Sequence, residues 1–177
     1  MSFSGEVVGT SQLVRKPNSV SMNLHTSGLI DGNAYTVWYF VFNNPSACGS
    51  IPCGMADILN PEVAADLLYA AGNVAGNGDQ TSFAGALNVG DASTSVAGFF
   101  NALFGTNVPS IGLLDPYAAE VQLVVRSHGT MTPEYMPDMI STFNGGCLYP
   151  PGVPQDYGVE GILSCEDVQG SIHFPED

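Results

Sequence analysis

The sequence predicts a mainly β fold: an antiparallel Greek-key sandwich or barrel with two or three short helices confined to its connections. Composition is the first reason. Charged residues make up 11% of the chain, well below the roughly 25% of an average soluble domain. Gly and Pro supply 21 and 12 of its 177 residues, which suits short strands, many turns and long loops rather than a helical bundle. The second reason is that several segments alternate apolar and polar residues with a period of two. The third is that only one segment carries a clear helical period. With 45% hydrophobic residues the chain is long enough for one sizeable core, so a single β domain over residues 1–177 is expected.

SVSMNLHTSGL (19–29) places Val20, Met22 and Leu24 on one side and Ser19, Ser21, Asn23 and His25 on the other, a half-buried strand. After a turn at DGN (31–33), AYTVWYFVF (34–42) has bulky residues on both faces. It is expected to be buried on both sides or to line a cavity, and to form a hairpin with the preceding strand. NPEVAADLLYAAG (60–72) reads as a short helical turn, with Asn60 as cap and Pro61 at the first helical position, followed by a strand. TSFAGALNVGD (81–91) resumes alternation through Phe83, Gly85, Leu87 and Val89.

SVAGFFNALFG (95–105) is the clear helix, with Val96, Phe99, Phe100 and Leu103 on one stripe, Ser95 available as cap and Gly105 as stop. Its stripe is expected to seal the end of the core, with a lid over a ligand pocket or a partner contact as the alternatives. AEVQLVVRSHG (119–129) is a strand with Val121, Leu123, Val125 and Ser127 on its mainly apolar face and Glu120, Gln122, Val124, Arg126 and His128 on the other. A short helix is expected near Pro137, ended by Gly145 or Gly146. CEDVQGSIHF (165–174) is a last strand, reading Val168, Ile172 and Phe174 against Asp167, Gln169, Ser171 and His173.

Seventeen carboxylates against three Lys or Arg give a formal net charge of −14. Nucleic acid is excluded as a partner, because phosphate binding needs a basic stripe. A polybasic membrane contact is excluded on the same ground, and no run of eighteen apolar residues offers a transmembrane segment. The opening MSFSGEVVG shows neither a basic nor an apolar leader region.

The four cysteines nevertheless point to an exported protein. Cys48 and Cys53 enclose GSIP, and Cys147 and Cys165 flank a Pro/Gly-rich segment. Pairing 48 with 53 and 147 with 165 is the most economical of three connectivities. A four-Cys zinc site fits poorly, since the seventeen residues between Cys147 and Cys165 form no knuckle. An oxidising, periplasmic or extracellular location is expected.

LHTSGLIDGNAYTVWYFVFNNP, YAAGNVAGNGDQTSFAGAL and AEVQLVVRSHG resemble the CHRD-type extracellular domains of bacteria over about residues 5 to 175. The resemblance implies a Greek-key sandwich similar to copper/zinc superoxide dismutase. It implies no dismutase activity, because the His-x-His strand of the dismutases is missing here.

Three sets of site residues follow from the strand readings. His25, His128 and His173 each fall on a polar face near a strand end and would hold Zn2+ or Cu2+ if their strands were neighbours in register. Arg126, the only formal cation after Lys16, lies on the order of 20 Å from Glu120 along its own strand. Its partner must therefore come from elsewhere: Asp167 or Glu166 if the last strand is adjacent, or loop carbonyls. If the polar face instead lines a barrel cavity, Arg126, His128 and Glu120 would be catalytic and Tyr35, Trp38 and Tyr39 would bind the ligand.

Nucleotide, Ser-hydrolase, zincin and EF-hand signatures are all missing. The leading expectation is a secreted domain that binds a small or extracellular ligand. The alternatives are an isomerase-, cyclase- or lyase-type enzyme, a metal-dependent enzyme at the three histidines, and a structural or matrix protein. Neither the ligand nor the oligomeric state is readable from the sequence.

Overall fold

The computed structural model describes residues 5–78, 80–147 and 165–176. Seven strands run β1 (Gly9–Lys16), β2 (Ser19–Ser27), β3 (Asn33–Phe42), β4 (Ala65–Val74), β5 (Gln80–Asn88), β6 (Glu120–Thr130) and β7 (Glu166–His173). Two short helices, α1 (Ala97–Phe104) and α2 (Met136–Met139), and 3-10 turns at Pro45–Ala47 and Met55–Leu59 lie in the connections. The strands form a three-stranded sheet β1-β2-β5 and a four-stranded sheet β4-β3-β6-β7, with every pairing antiparallel. The molecule is mainly β as expected, and of the two expected architectures, sandwich or barrel, it is the sandwich. Taking β4 and β5 as neighbours across the corner between sheets, the order 2-5-4-3 traces a Greek key.

The expected hairpin of β2 with β3 does not form: β2 pairs with β1 and β5, and β3 with β4 and β6. The burial patterns explain the separation. Strand β2 alternates buried and more exposed positions, as a sheet with one wet face requires, whereas β3 is buried at all ten positions. A strand apolar on both faces goes to the middle of the sheet that is covered twice.

The first cover is the other sheet. Val20, Met22, Leu24, Phe83 and Leu87 meet Tyr35, Val37, Tyr39, Val41, Val121, Leu123 and Val125 in the inter-sheet core. The second core lies on the outer face of the four-stranded sheet, where Trp38, Phe40, Phe42, Leu67 and Val124 pack under Ile58, Val63, Phe99, Phe100 and Phe143. Helix α1 supplies Phe99 and Phe100 as its stripe predicts. Ser95 Oγ accepts from the Ala97 N–H at 3.2 Å, and Gly105 ends the helix in the left-handed region.

Two buried polar side chains fix the frame. Asp66 of β4 accepts from Leu67 N–H (2.8 Å), Ser95 Oγ (2.6 Å), Ile111 N–H (2.9 Å) and Gly112 N–H (2.8 Å). It thereby ties the start of α1 and the loop before β6 to one strand. Arg15 of β1 closes the far seam of the sandwich. Its guanidinium donates to the carbonyls of Pro116, Ala119 (3.1 Å), His173 (3.2 Å) and Phe174 (2.8 Å), the planar fork holding several acceptors at once.

Strand β7 reverses the parity expected of it. Arg126 stands opposite Asp167 but Val125 stands opposite Gln169, so Val168 is an extra, bulged residue. Beyond the bulge, Gln169 turns to the inter-sheet side, bonding Thr26 Oγ1 at 2.5 Å and the Ser27 carbonyl at 2.9 Å, while Ile172 and Phe174 are exposed.

Replacing Asp66 with Ala leaves four donors without their acceptor, three of them backbone N–H groups. The variant is expected to lose about 3 kcal/mol or more in urea unfolding. An unchanged midpoint would show that the loops do not depend on this carboxylate.

Candidate functional site

The outer face of β6 carries the residues singled out by parity, and the structure covers that face instead of opening it to solvent or enclosing it in a barrel. Each polar side chain on it meets backbone of the covering layer. At one end Glu120, 2% exposed, accepts from the Cys53 N–H at 3.0 Å and from Gln122 Nε2 at 2.7 Å. Gln122 also donates to the Cys53 carbonyl at 2.8 Å. The Cys48–Cys53 disulfide closes the docked loop, whose Gly49 and Gly54 N–H groups bind Asp57 at 2.8 and 2.7 Å. Those two bonds hold the Asp57 carboxyl below its ordinary range.

Arg126 answers the question of its partner. Its Nη1 bonds Asp167 Oδ1 at 2.8 Å, its Nε donates to the Phe143 carbonyl at 2.9 Å, and its guanidinium carbon lies 4.2 Å from the centre of the Phe143 ring. The expectation of a cross-strand carboxylate or a loop carbonyl is met by both.

At the other end His128 is fully buried. Its Nδ1 donates to the Gly145 carbonyl at 2.8 Å, which leaves Nε2 to accept from Thr36 Oγ1 at 2.8 Å; Thr36 Oγ1 in turn accepts from Trp38 Nε1 at 2.7 Å. Both sulfurs of the Cys147–Cys165 disulfide lie 3.7 Å from Nδ1. A side chain at Gly145 would run into the Asp138 carbonyl, so only glycine lets this backbone lie against α2 and reach the ring. Burial lowers the His128 pKa to about 4, opposed by the Gly145 hydrogen bond and aided by the Arg126 charge.

Between these two docked ends the cover leaves space. One hollow of about 410 Å³ is lined by Phe40, Phe42, Gly54, Met55, Gln122, Val124 and Asp167. A second, of about 320 Å³, adjoins it at Met55 and Asp167 and is walled by Phe99, Phe100, Leu103, Phe143, Arg126 and the Cys147–Cys165 disulfide. The two together are an apolar groove marked by one ion pair.

The three-histidine site does not form. His25 is exposed on β2 and bonds Ser82 Oγ at 2.8 Å, His173 sits at the β1–β7 seam against Ser11 Oγ at 3.1 Å, and His128 is under the cover of the other sheet face. Their strands belong to different sheets or faces, so strand-end parity alone could not bring them together. Burial and the Arg15 charge also push His173 below its ordinary value. Glu120, Arg126 and His128 do not converge either: Arg126 lines the groove, whereas the other two bond backbone and line neither hollow. Tyr35 and Tyr39 are buried in the inter-sheet core, not in a ligand site. Trp38 faces the outer side, edge-on to Tyr69 and Phe143, and borders a separate surface hollow.

The sequence reading missed Met55, Phe143 and the placement of Cys147 and Cys165 beside His128. A signal for the last was present. With Arg126 opposite Asp167 and Ser127 opposite Glu166, one further step of the same antiparallel register puts Cys165 opposite His128.

Both disulfides are those the spacing favours, and they imply an oxidising setting. Among the described residues no helix is long and apolar enough to cross a membrane. Compared with known proteins, the chain matches no family model, no curated protein and no solved structure.

His128 makes stability depend on pH. Its pKa is about 4 in the fold against an ordinary 6.5, so between those values the unfolded chain binds a proton that the folded one refuses. The contribution is complete above pH 6.5 and is lost as pH falls towards 4, amounting to about 3 kcal/mol. Urea titrations of the parent and of His128→Gln at the two ends of that window should show the parent's advantage shrinking by about this amount. Parallel pH profiles would place the acid sensitivity elsewhere.

Proposed function

We propose that the chain is a secreted, disulfide-bonded β domain, periplasmic or extracellular, that binds a small and largely apolar ligand in the groove on the outer face of the four-stranded sheet. The observation that carries this reading is the pair of adjoining hollows, of about 410 and 320 Å³, each in the size range of small-molecule sites. Their walls are aromatic and aliphatic, and the Arg126–Asp167 pair supplies the one charged landmark that lines them. The reading also takes the chain as CHRD-like, on the strength of the succession from Leu24 to Pro45 and the Gly-punctuated strands that follow it.

Acid–base catalysis has less to support it. The general acid or base would have to be His128 or Glu120, and neither lines the groove while both already bond to backbone. A polar ligand head could instead meet Arg126, whose Nη2 is not needed for the Asp167 and Phe143 contacts.

Met55 tests the reading without disturbing the core, since it lines both hollows yet is 59% exposed. Nile red, a neutral apolar dye, is expected to bind the parent with a blue-shifted emission. Met55→Asp should weaken that binding about tenfold or more, the order expected for losing an apolar wall and placing a charge in it. Equal binding by parent and variant, or none by either, would overturn the assignment of the groove as the ligand site. Native mass spectrometry of the purified chain then identifies any organic molecule retained.

A further inference from the structure

We propose that reduction of the Cys147–Cys165 disulfide creates a site for Zn2+ made of the two thiolates and His128, so that one cluster is a cross-link when oxidised and a metal centre when reduced. The ligand atoms of His128, Cys147 and Cys165 all lie within 4.8 Å of one another, and Nδ1 is 3.7 Å from each sulfur. Tetrahedral Zn2+, with Zn–S of about 2.3 Å and Zn–N of about 2.0–2.1 Å, sets its N···S separations at about 3.6 Å and S···S at about 3.8 Å. The imidazole already stands at the metal-bound distance from both sulfurs. The sulfurs must part, which breaking their bond allows, and the Gly145 carbonyl, now bonded to Nδ1 at 2.8 Å, must give up that position.

The chemistry balances with a dithiol as reductant. Two electrons pass from the dithiol to the disulfide, giving a new disulfide on the reductant and thiols at Cys147 and Cys165. Zn2+ then displaces one proton from each thiol. At His128 the ring proton moves from Nδ1 to Nε2, exchanging the Gly145 hydrogen bond for one donated to Thr36 Oγ1. That is the outer-shell arrangement a metal-bound imidazole ordinarily has. Both cysteines line the 320 Å³ hollow, so water can take the fourth position.

The other cysteine cluster, Cys48, Cys53 and Asp57, is a poorer site. Its third ligand is a carboxylate whose two oxygens accept the Gly49 and Gly54 N–H groups. The preference therefore separates two pairs of cysteines within one chain.

The test uses Co2+, a spectroscopic stand-in for Zn2+, on the full chain carrying Cys48→Ser and Cys53→Ser, reduced with a phosphine under argon. One equivalent should bind with thiolate charge-transfer and tetrahedral ligand-field bands, none should bind before reduction, and Zn2+ should displace it. Adding His128→Ala should weaken binding about tenfold or more. Absence of the bands after reduction, or bands indifferent to His128→Ala, overturns the proposal.

If the double-serine chain does not fold, the parent is reduced at both disulfides and compared with Cys147→Ser/Cys165→Ser. The bands must then vanish in the comparator, and their persistence there overturns the proposal. If reduction alone unfolds the chain, Co2+ must restore its near-ultraviolet circular dichroism, and failure to do so counts as the same negative.

Discussion

Strand β3 is buried at every one of its ten positions, and the remainder of the molecule is arranged to make that tolerable. A strand with bulky apolar side chains on both faces has to be covered twice. The three-stranded sheet supplies one cover and presents its own alternating strands to solvent. Among the described residues no further sheet covers the other face. That cover is assembled from α1, the segment from Pro45 to Val63 and the turn around Phe143, pieces with too little regular structure to hold themselves in place.

What holds them is polar. Glu120 and Gln122 grip the backbone at Cys53, Arg126 grips the Phe143 carbonyl and Asp167, and His128 grips the Gly145 carbonyl. The two ends of this row are about 26 Å apart along β6, and each sits under a disulfide-bearing segment. A chain with so few cations spends two of them in this manner, since Arg15 performs a related task at the β1–β7 seam on four carbonyls. Arg suits both positions because its fork satisfies several acceptors without needing to be buried with an equal number of carboxylates.

Much of this was legible in the chain. The alternation of β2 and β5, the apolar stripe of α1 and the disulfide pairing follow from period and spacing, which are local or nearly local signals. The same signals leave β3 either doubly buried or lining a cavity, and leave Arg126 a choice of Asp167, Glu166 or loop carbonyls. The failures share a cause. Polar residues on the outer face of β6 look like a wet face or a lined cavity, because parity records which side a residue takes and not what lies over that side. The bulge at Val168 reverses the parity of β7 without a mark in its composition. The separation of β2 from β3 depends on which sheet must be covered twice, a property of the whole fold. Convergence of the three histidines and the approach of Cys165 to His128 both depend on register, and the second follows only once Arg126 is seen to stand opposite Asp167.

The groove is a consequence of the same arrangement. Among the described residues the cover, pinned at its two ends and irregular between them, leaves space above Phe40, Phe42 and Val124. Side chains around such a gap forfeit dispersion contacts that a packed interior would supply, and an apolar occupant restores them. The Arg126–Asp167 pair contributes no net charge to that surface, in a chain whose formal charge is −14. Under the proposed binding role, selectivity would rest on the shape of the groove and on the Arg126 guanidinium that lines it, which is what a face built for packing and held by backbone contacts is able to offer.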